Sequence, residues 1–303
     1  MPASPTLHFD LRVVNDAIAG TEFAGRVLHL TTVPSTNSLA LAVAQAGTRH
    51  GVWIADRQTA GRGRGSHAWH SAAGLGLYMS ALVAPPITLD RAQHLSFLTA
   101  IAVQSAIAST FGLRIRDQID IRWPNDLMLA RPGAPQRKVG GILIETAAQP
   151  ATSPAHSAIL RFAVIGIGVN LNHTAFPPEL DAIATSIRRE LPDPSQPLRR
   201  EPLAAAILLA LDRELRPLTL NPEPRTSNPA RDLTQFSSWL EGKRVRIETR
   251  SPAPPESISS PAPGLTSGSY TGTTAGLDPR GFLRVRDDSG QLHTVLSGGL
   301  REL

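Results

Sequence analysis

The stretch Gly61-Arg62-Gly63-Arg64-Gly65-Ser66-His67-Ala68-Trp69 combines residue types that together suit a flat, anionic ligand. Alternating glycines let the backbone approach a ligand and take conformations closed to other residues. Interleaved arginines offer forked donors matched to carboxylate and phosphate. Trp69 adds a flat face for a purine. A Gly/Arg-rich surface turn would look the same, so this loop taken alone leaves both readings open. It is not a Walker A loop, because no GxxxxGK[ST] occurs, and its glycine spacing fails the dinucleotide-binding fingerprint.

Two other clusters carry chemistry. Arg122-Trp123-Pro124-Asn125-Asp126-Leu127 puts a guanidinium, an amide and a carboxylate in one turn, and Arg137-Lys138-Val139-Gly140-Gly141-Ile142 follows it. Glycines inside a strand cost stability and mark close backbone approach. Lys138 is a mobile point charge suited to phosphate, and Asp126 could hold a divalent ion. Gly166-Ile167-Gly168-Val169-Asn170 ends an apolar run whose glycines could leave room for a ligand. Taken singly, these also read as a solvated polar hairpin and a packing compromise. Lys138 has one further distinction: of 30 basic residues, only it and Lys243 are lysines.

The positioning elements follow from periodicity and punctuation. Arg26–Val33 reads as a strand, and Ser35 or Thr36 caps a helix over Thr36–Ala46 that Gly47 closes. Strands are expected at Val52–Gln58 and Gly76–Val83. A long helix over Asp90–Thr110 would turn Leu95, Leu98, Ala102 and Ala106 to one face. Short strands at Ile119–Trp123 and Leu127–Leu129 flank the Pro124-Asn125-Asp126 turn. Val139–Thr146 and Leu160–Leu171 are apolar strands joined by an enlarged Pro/Ser loop. A helix over Glu201–Leu215 precedes a linker at 221–230 and a short helix over Asp232–Leu240. From Lys243 the chain changes to short strands and turns at barrel-like spacing, interrupted by a Pro/Ser-rich tract at 250–269. The expectation is an α/β (α+β) domain over 1–240 and a small all-β module over 241–303.

Composition excludes several chemistries. With no cysteine among 303 residues there is no disulfide scaffold, thiolate zinc site, iron–sulfur cluster or cysteine nucleophile. No run reaches eighteen uninterrupted apolar residues, so no membrane span or membrane partner is expected. The N-terminus lacks the plan of a secretory signal, which makes a cytoplasmic location the expectation. A formal charge of +5 and a pI near 10.5 raise a nucleic-acid hypothesis. The arginines are scattered between acidic residues, however, and the first 25 residues are too few for a helix-turn-helix module, so no DNA partner is expected.

Together, Ser35-Thr36-Asn37, Gln58-Thr59-Ala60-Gly61-Arg62-Gly63-Arg64 with Trp69, Arg122-Trp123-Pro124-Asn125-Asp126, Lys138-Val139-Gly140-Gly141-Ile142-Leu143-Ile144-Glu145 and Gly166-Ile167-Gly168-Val169-Asn170 resemble the biotin–protein ligases, in that family's order and approximate spacing. The resemblance covers about 30–170, and Ser269–Leu303 is similar to the family's small SH3-like barrel. It implies a catalytic domain with a mixed central sheet, of the biotin/lipoate ligase type. It also implies activation of biotin by ATP to biotinyl-5′-adenylate, followed by transfer to one lysine of a biotin carboxyl carrier domain, with a magnesium ion (Mg2+) assisting. Members of the family can pair through the central sheet, and no residue here decides whether this chain forms a homodimer.

By the same resemblance, Ser35, Thr36, Asn37, Gln58, Gly61 and Gly141 belong to the biotin site. Arg62, Gly63 and Arg64 would contact the biotin carboxylate and the adenylate. Trp69, Asn125 and Asn170 would serve the nucleotide, with Trp69 on adenine. Lys138 would bridge the carboxylate and the α-phosphate. Asp126 is either a metal ligand or the group that assists the incoming lysine. Catalysis of this kind lies in positioning and electrostatics, since no side chain attacks the substrate. One departure stands in the loop: Ser66 and His67 occupy places where the family usually has Gly and Arg, which exchanges a permanent cation for an imidazole. The family's DNA-binding domain is not expected, which implies the monofunctional type. Lipoate–protein ligases and octanoyltransferases share the fold and are the rival reading; the Gly-Arg-Gly-Arg loop and Lys-Val-Gly-Gly strand favour biotin. A non-enzymatic nucleic-acid binder is the other rival.

Overall fold

The run ending at Val33 and the strand ending at Gln58 lie side by side and parallel: β1 (Val27–Val33) pairs with β2 (Gly51–Gln58), Val27 opposite Val52 and Val33 opposite Gln58. The structure is a computed structural model, described here for residues 8–65, 67–149, 158–193, 195–220, 233–248, 269–278, 281–296 and 299–303. The connection between the two strands is α2 (Thr36–Gln45), preceded in the chain by α1 (Leu11–Ala17). Ser35 is its N-cap: extended backbone, and a hydroxyl that accepts from the Ser38 amide at 3.3 Å.

The remaining strands of this unit are antiparallel. In chain order they are β3 (Gly76–Val83), β4 (Ile119–Arg122), β5 (Asp126–Leu129), β6 (Arg137–Ala148) and β7 (Leu160–Asn170). The seven form one mixed sheet in the order β1-β2-β3-β7-β6-β5-β4. β3 is buried along its whole length, as a run of eight mostly apolar residues at the sheet's centre requires. Ala40 and Ala44 of α2 pack on Trp53, Leu82, Phe162 and Val164, small residues letting the helix approach the sheet closely.

α3 (Gln93–Phe111) follows a 3-10 turn at Leu89–Ala92, so the helix proper starts three residues later than the periodicity implies. Its burial is not confined to the expected stripe. Phe97, Ala100, Ile101 and Val103 are buried as well as Leu95, Ala102 and Ala106, whereas Leu98 is half-buried. The helix lies between β4–β6 and α6 (Arg200–Leu220), and a helix covered on several sides carries no polar face for periodicity to detect. The same composition makes α3 long and apolar enough to cross a membrane by length and hydropathy alone, yet most of it is buried inside this unit. Two single-turn helices, α4 (Pro178–Asp181) and α5 (Ile187–Glu190), follow β7. On α6 the expected stripe of Leu203, Ile207, Ala210 and Leu211 is buried.

Just beyond β7, His173 is fully buried, stacked on Phe176 at 4.9 Å and 5.8 Å from the ring of His70. Neither of its ring nitrogens has a partner among the described residues. Burial, reinforced by His70, pulls its pKa from 6.5 down to about 4. The fold therefore holds a neutral imidazole that the unfolded chain protonates more readily, so its contribution is full above pH 6.5 and is lost as pH falls toward 4. Denaturant unfolding should show a loss of ~3 kcal/mol across that window. His173→Leu should flatten the profile; an unchanged slope would locate the pH dependence elsewhere.

The chain divides into two compact units, within 1–229 and 230–303. In the second, the helix expected over Asp232–Leu240 is, among the described residues, a 3-10 turn at Leu233–Gln235 followed by turns that lead into β8 (Glu241–Glu248). With β9 (Ser269–Leu277), β10 (Leu283–Asp287), β11 (Leu292–Val295) and β12 (Gly299–Glu302) it forms an antiparallel sheet ordered β11-β10-β9-β8-β12, as a small β-barrel-like domain would. Val245, Ile247, Thr274, Leu283, Val285, Val295 and Leu300 are among its buried residues. The expected linker at 221–230, and all of the Pro/Ser-rich tract but Ser269, lie outside the described residues.

Candidate active site

The first turn of α2 faces the C-terminal end of β2. Gln58 Oε1 accepts from the Thr36 amide at 2.9 Å and from its hydroxyl at 3.1 Å. Gln58 Nε2 donates to Ser71 Oγ at 3.0 Å, and that hydroxyl donates to the Trp69 carbonyl at 3.3 Å. Ser80, fully buried in β3, lies 2.8 Å from Thr36 Oγ1 and 2.6 Å from Asn37 Oδ1, toward both of which its hydroxyl can donate. Asn37 Nδ2 donates to Glu145 Oε2 at 3.0 Å. Opposing partners thus fix the Asn37 amide, oxygen toward Ser80 and nitrogen toward Glu145. A buried array of this kind offers a small polar head group both donors and acceptors without further reorganisation.

The glycines of β6 and β7 form a shelf. Gly141 stands opposite Gly168 in the pairing of these strands. A β-carbon on Gly168 would come within 2.6 Å of the Trp69 indole; one on Gly141 would lie 3.1 Å from that ring and 3.3 Å from Lys138 Cε. Only bare backbone lets Trp69 lie down there with Lys138 beside it, its Nζ 5.5 Å from the ring centroid. The Trp69 indole N–H is buried without a partner among the described residues.

Lys138 is held from both ends. Its backbone N–H donates to Ile183 at 2.8 Å, and its carbonyl accepts from Thr185 at 2.9 Å. Its Nζ lies 2.5 Å from Asp126 Oδ1, and Arg122 takes Asp126 Oδ2 at 2.7 Å. Burial pushes the Asp126 carboxyl up, but Lys138 and Arg122 outweigh it and hold the group below the ordinary carboxylate range. Asn125 staples the loop to the sheet: its oxygen accepts from Arg64 at 3.2 Å while its nitrogen donates to the Ile142 carbonyl at 2.9 Å. The loop itself is a small hairpin, with Trp69 N donating to Gly61 O at 2.9 Å and Gly63 N to His67 O at 2.8 Å.

These parts enclose a cleft that is partly open to solvent. Ser35, Thr36, Asn37, Gln58, Arg62, Gly63, Arg64, Trp69, Asn125, Lys138 and Gly141 all line it. Met79, Leu143 and Ile167 give it an apolar stretch. Three expected site residues stand behind the wall. Gly61 is packed where a β-carbon would meet the Trp69 carbonyl at 2.5 Å, so its part is to let the loop close. Asn170 is buried, and its amide donates to Thr185 at 3.1 Å, the residue that grips the Lys138 carbonyl. Asp126 reaches the cleft only through its cation partners.

Both Asp126 oxygens are engaged by cations, and among the described residues no group of three His, Cys, Asp or Glu side chains is placed for a metal. Arg62, which lines the cleft, grips Glu145 with its guanidinium in two bonds, of 2.8 and 3.0 Å. Ser80 and Glu145 hold Asn37 and Arg62 in place, although neither is among the site residues that the sequence suggests. A lone hydroxyl inside GLYMSALV and a lone acid at the end of an apolar strand were the available signals.

Comparison with known proteins agrees with this geometry. The biotin/lipoate A/B protein ligase family model matches residues 29–170. The bifunctional ligase/repressor BirA of Bacillus spizizenii is 37% identical over 171 residues, 55% of this chain and 48% of that protein, so the chain spans about half the length of this relative. The biotin–[acetyl-CoA-carboxylase] ligase of Mycobacterium tuberculosis is 32% identical over 247 residues, 79% of this chain and 81% of the relative. In fold, a biotin protein ligase from Aquifex aeolicus in complex with biotin and ATP matches with a TM-score of 0.62 at 21% identity, covering 92% of this chain and 100% of that one. The extent of the mycobacterial match, together with the family model over the cleft-forming segments, establishes that this chain belongs to the biotin–protein ligases of the biotin/lipoate A/B protein ligase family.

Proposed function

We propose that the chain is an ATP-dependent biotin–protein ligase that forms biotinyl-5′-adenylate and passes biotin to a lysine of a biotin carboxyl carrier domain. The observation that carries this is the set of parts that line one cleft. A fixed polar array at Thr36, Asn37 and Gln58 matches a cyclic urea, which needs an acceptor for its N–H groups and donors for its oxygen. The apolar stretch of Met79, Leu143 and Ile167 suits an alkyl chain, and Lys138 with the Trp69 shelf lies along the same cleft.

In the first step a carboxylate oxygen of biotin bonds to the α-phosphorus of ATP, the bond to the bridging oxygen breaks, and pyrophosphate leaves. Both reactants are anions. The Lys138 ammonium, held in place by Asp126 and its own backbone bonds, and the Arg64 guanidinium stapled at Asn125 lower the cost of bringing them together. In the second step the carrier lysine's amine bonds to the acyl carbon, the carbon–oxygen bond to AMP breaks, and the proton leaves the new amide nitrogen. The hairpin over the cleft shields the mixed anhydride from water meanwhile. Magnesium, in this scheme, arrives with the nucleotide phosphates as part of the substrate. The acceptor follows the mycobacterial relative, whose name specifies acetyl-CoA carboxylase.

The direct test is incubation with Mg2+-ATP, a carrier domain and either biotin or lipoate, read by intact mass. Addition of one biotinyl group with release of pyrophosphate is expected. Lipoyl addition in its place, or no pyrophosphate with either acid, would overturn the assignment.

A further inference from the structure

Glu145 accepts three hydrogen bonds from two different parts of the cleft. Arg62, on the hairpin, donates twice, at 2.8 Å to Oε1 and 3.0 Å to Oε2; Asn37, on the first turn of α2, donates to Oε2 at 3.0 Å. The carboxylate is 21% exposed, and the bidentate geometry is the strong form of such a pair. Arg62 is further steadied by Ser38 Oγ at 3.5 Å. Beside the hairpin's own bonds, Arg64 at Asn125 and Trp69 on the glycine shelf, this pair ties the loop to β6 through its charge.

We infer that Glu145 is a positioning residue that latches the hairpin over the cleft through Arg62 and sets the polarity of the Asn37 amide, so that head-group recognition and retention of the acyl-adenylate share one side chain. The identity of the retained ligand rests on the biotin-ligase reading; the latch itself does not. Arg62 serves in this scheme as a tether paired with Glu145, and Lys138 and Arg64 are the cations assigned to phosphate. Glutamine cannot replace Glu145 as the latch. It has one oxygen for three donors, and its NH2 would confront either the guanidinium or the Asn37 amide nitrogen.

Three measurements test this. Trypsin cleavage after Arg64, timed by mass spectrometry on the protein without any ligand, should be about 10-fold faster in Glu145→Ala and Glu145→Gln, because the latch and not the ligand holds the loop. Adenylate preloaded on the enzyme should leave about 10-fold faster from Glu145→Ala and from Arg62→Ala, and no faster from the double variant, because the two residues act as one unit. The KM for biotin should rise while the KM for ATP and the melting temperature stay near wild type, a split that general loss of structure would not produce. Wild-type cleavage rates at Arg64 in both Glu145 variants, or additive losses in the double variant, would overturn the latch. Failure of the wild type to release pyrophosphate from ATP and biotin would overturn the ligase reading instead, and leaves the proteolysis result to judge the latch separately.

Discussion

Lys138→Ala should lower the rate of adenylate formation by about 10²–10³-fold, the usual cost of removing one fixed electrostatic contact to a developing anion. The side chain is gripped by Asp126 at its tip and by residues 183–185 at its backbone, so the wild type spends little reorganisation in presenting it. Its loss also leaves Asp126 facing the cleft with Arg122 as its remaining cation among the pairs described above, an anion where the reaction least tolerates one. Removing one partner of this partly buried pair also lowers stability, so the fall in melting temperature is measured alongside the rate. Pyrophosphate exchange measures the outcome directly. An exchange rate within a few-fold of wild type would remove Lys138 from the mechanism. Lys138→Arg should rescue poorly, since a planar fork is too large for the space that Gly141 clears around Cε and Nζ.

Gly166→Ala should cripple recognition of the acid rather than its activation. A β-carbon at this position would sit 2.2 Å from Asn37 Oδ1 and 2.8 Å from its Cγ, so the amide must swing away. Ser80 then loses an acceptor in a fully buried place, and Glu145 loses one of its three donors. A displacement of this order at a positioning group costs about 10²-fold, and it should appear in the KM for biotin far more than in the KM for ATP. Isothermal titration with biotin alone separates the two. Binding at wild-type strength would mean that Asn37 does not read the head group. Overpacking of this sort also costs about 1–3 kcal/mol of stability, visible as a modest fall in melting temperature.

Much of this site was legible in the chain because its chemistry is written in consecutive residues. Ser35-Thr36-Asn37 had to sit at a helix start, since a serine before an apolar-periodic run satisfies an orphan amide there. Gly-Arg-Gly-Arg read as a loop, and the glycines of β6 and β7 read either as a packing compromise or as room for a large object on the sheet. That the large object is Trp69, seventy-two residues before Gly141 and ninety-nine before Gly168, was beyond reach of local pattern. The helix α3 was placed but its stripe was misjudged, because a helix covered on several sides shows composition without period.

The roles of single residues divided along the same line. Sequence determined which groups the protein has to work with: a scarce lysine, a loop with two arginines and a tryptophan, an amide-bearing helix start. Only the tertiary structure decided how they are spent. Arg62 and Glu145 are eighty-three residues apart, and nothing local says that one will neutralise the other. Asn170 looks like a ligand-contacting amide and instead braces Thr185 behind Lys138. The reason is physical. Residue type fixes what hydrogen bonds and charges are available, but which partner satisfies each is settled by desolvation in the packed sheet, where a charge must find its counter-charge among whatever strands have been brought beside it.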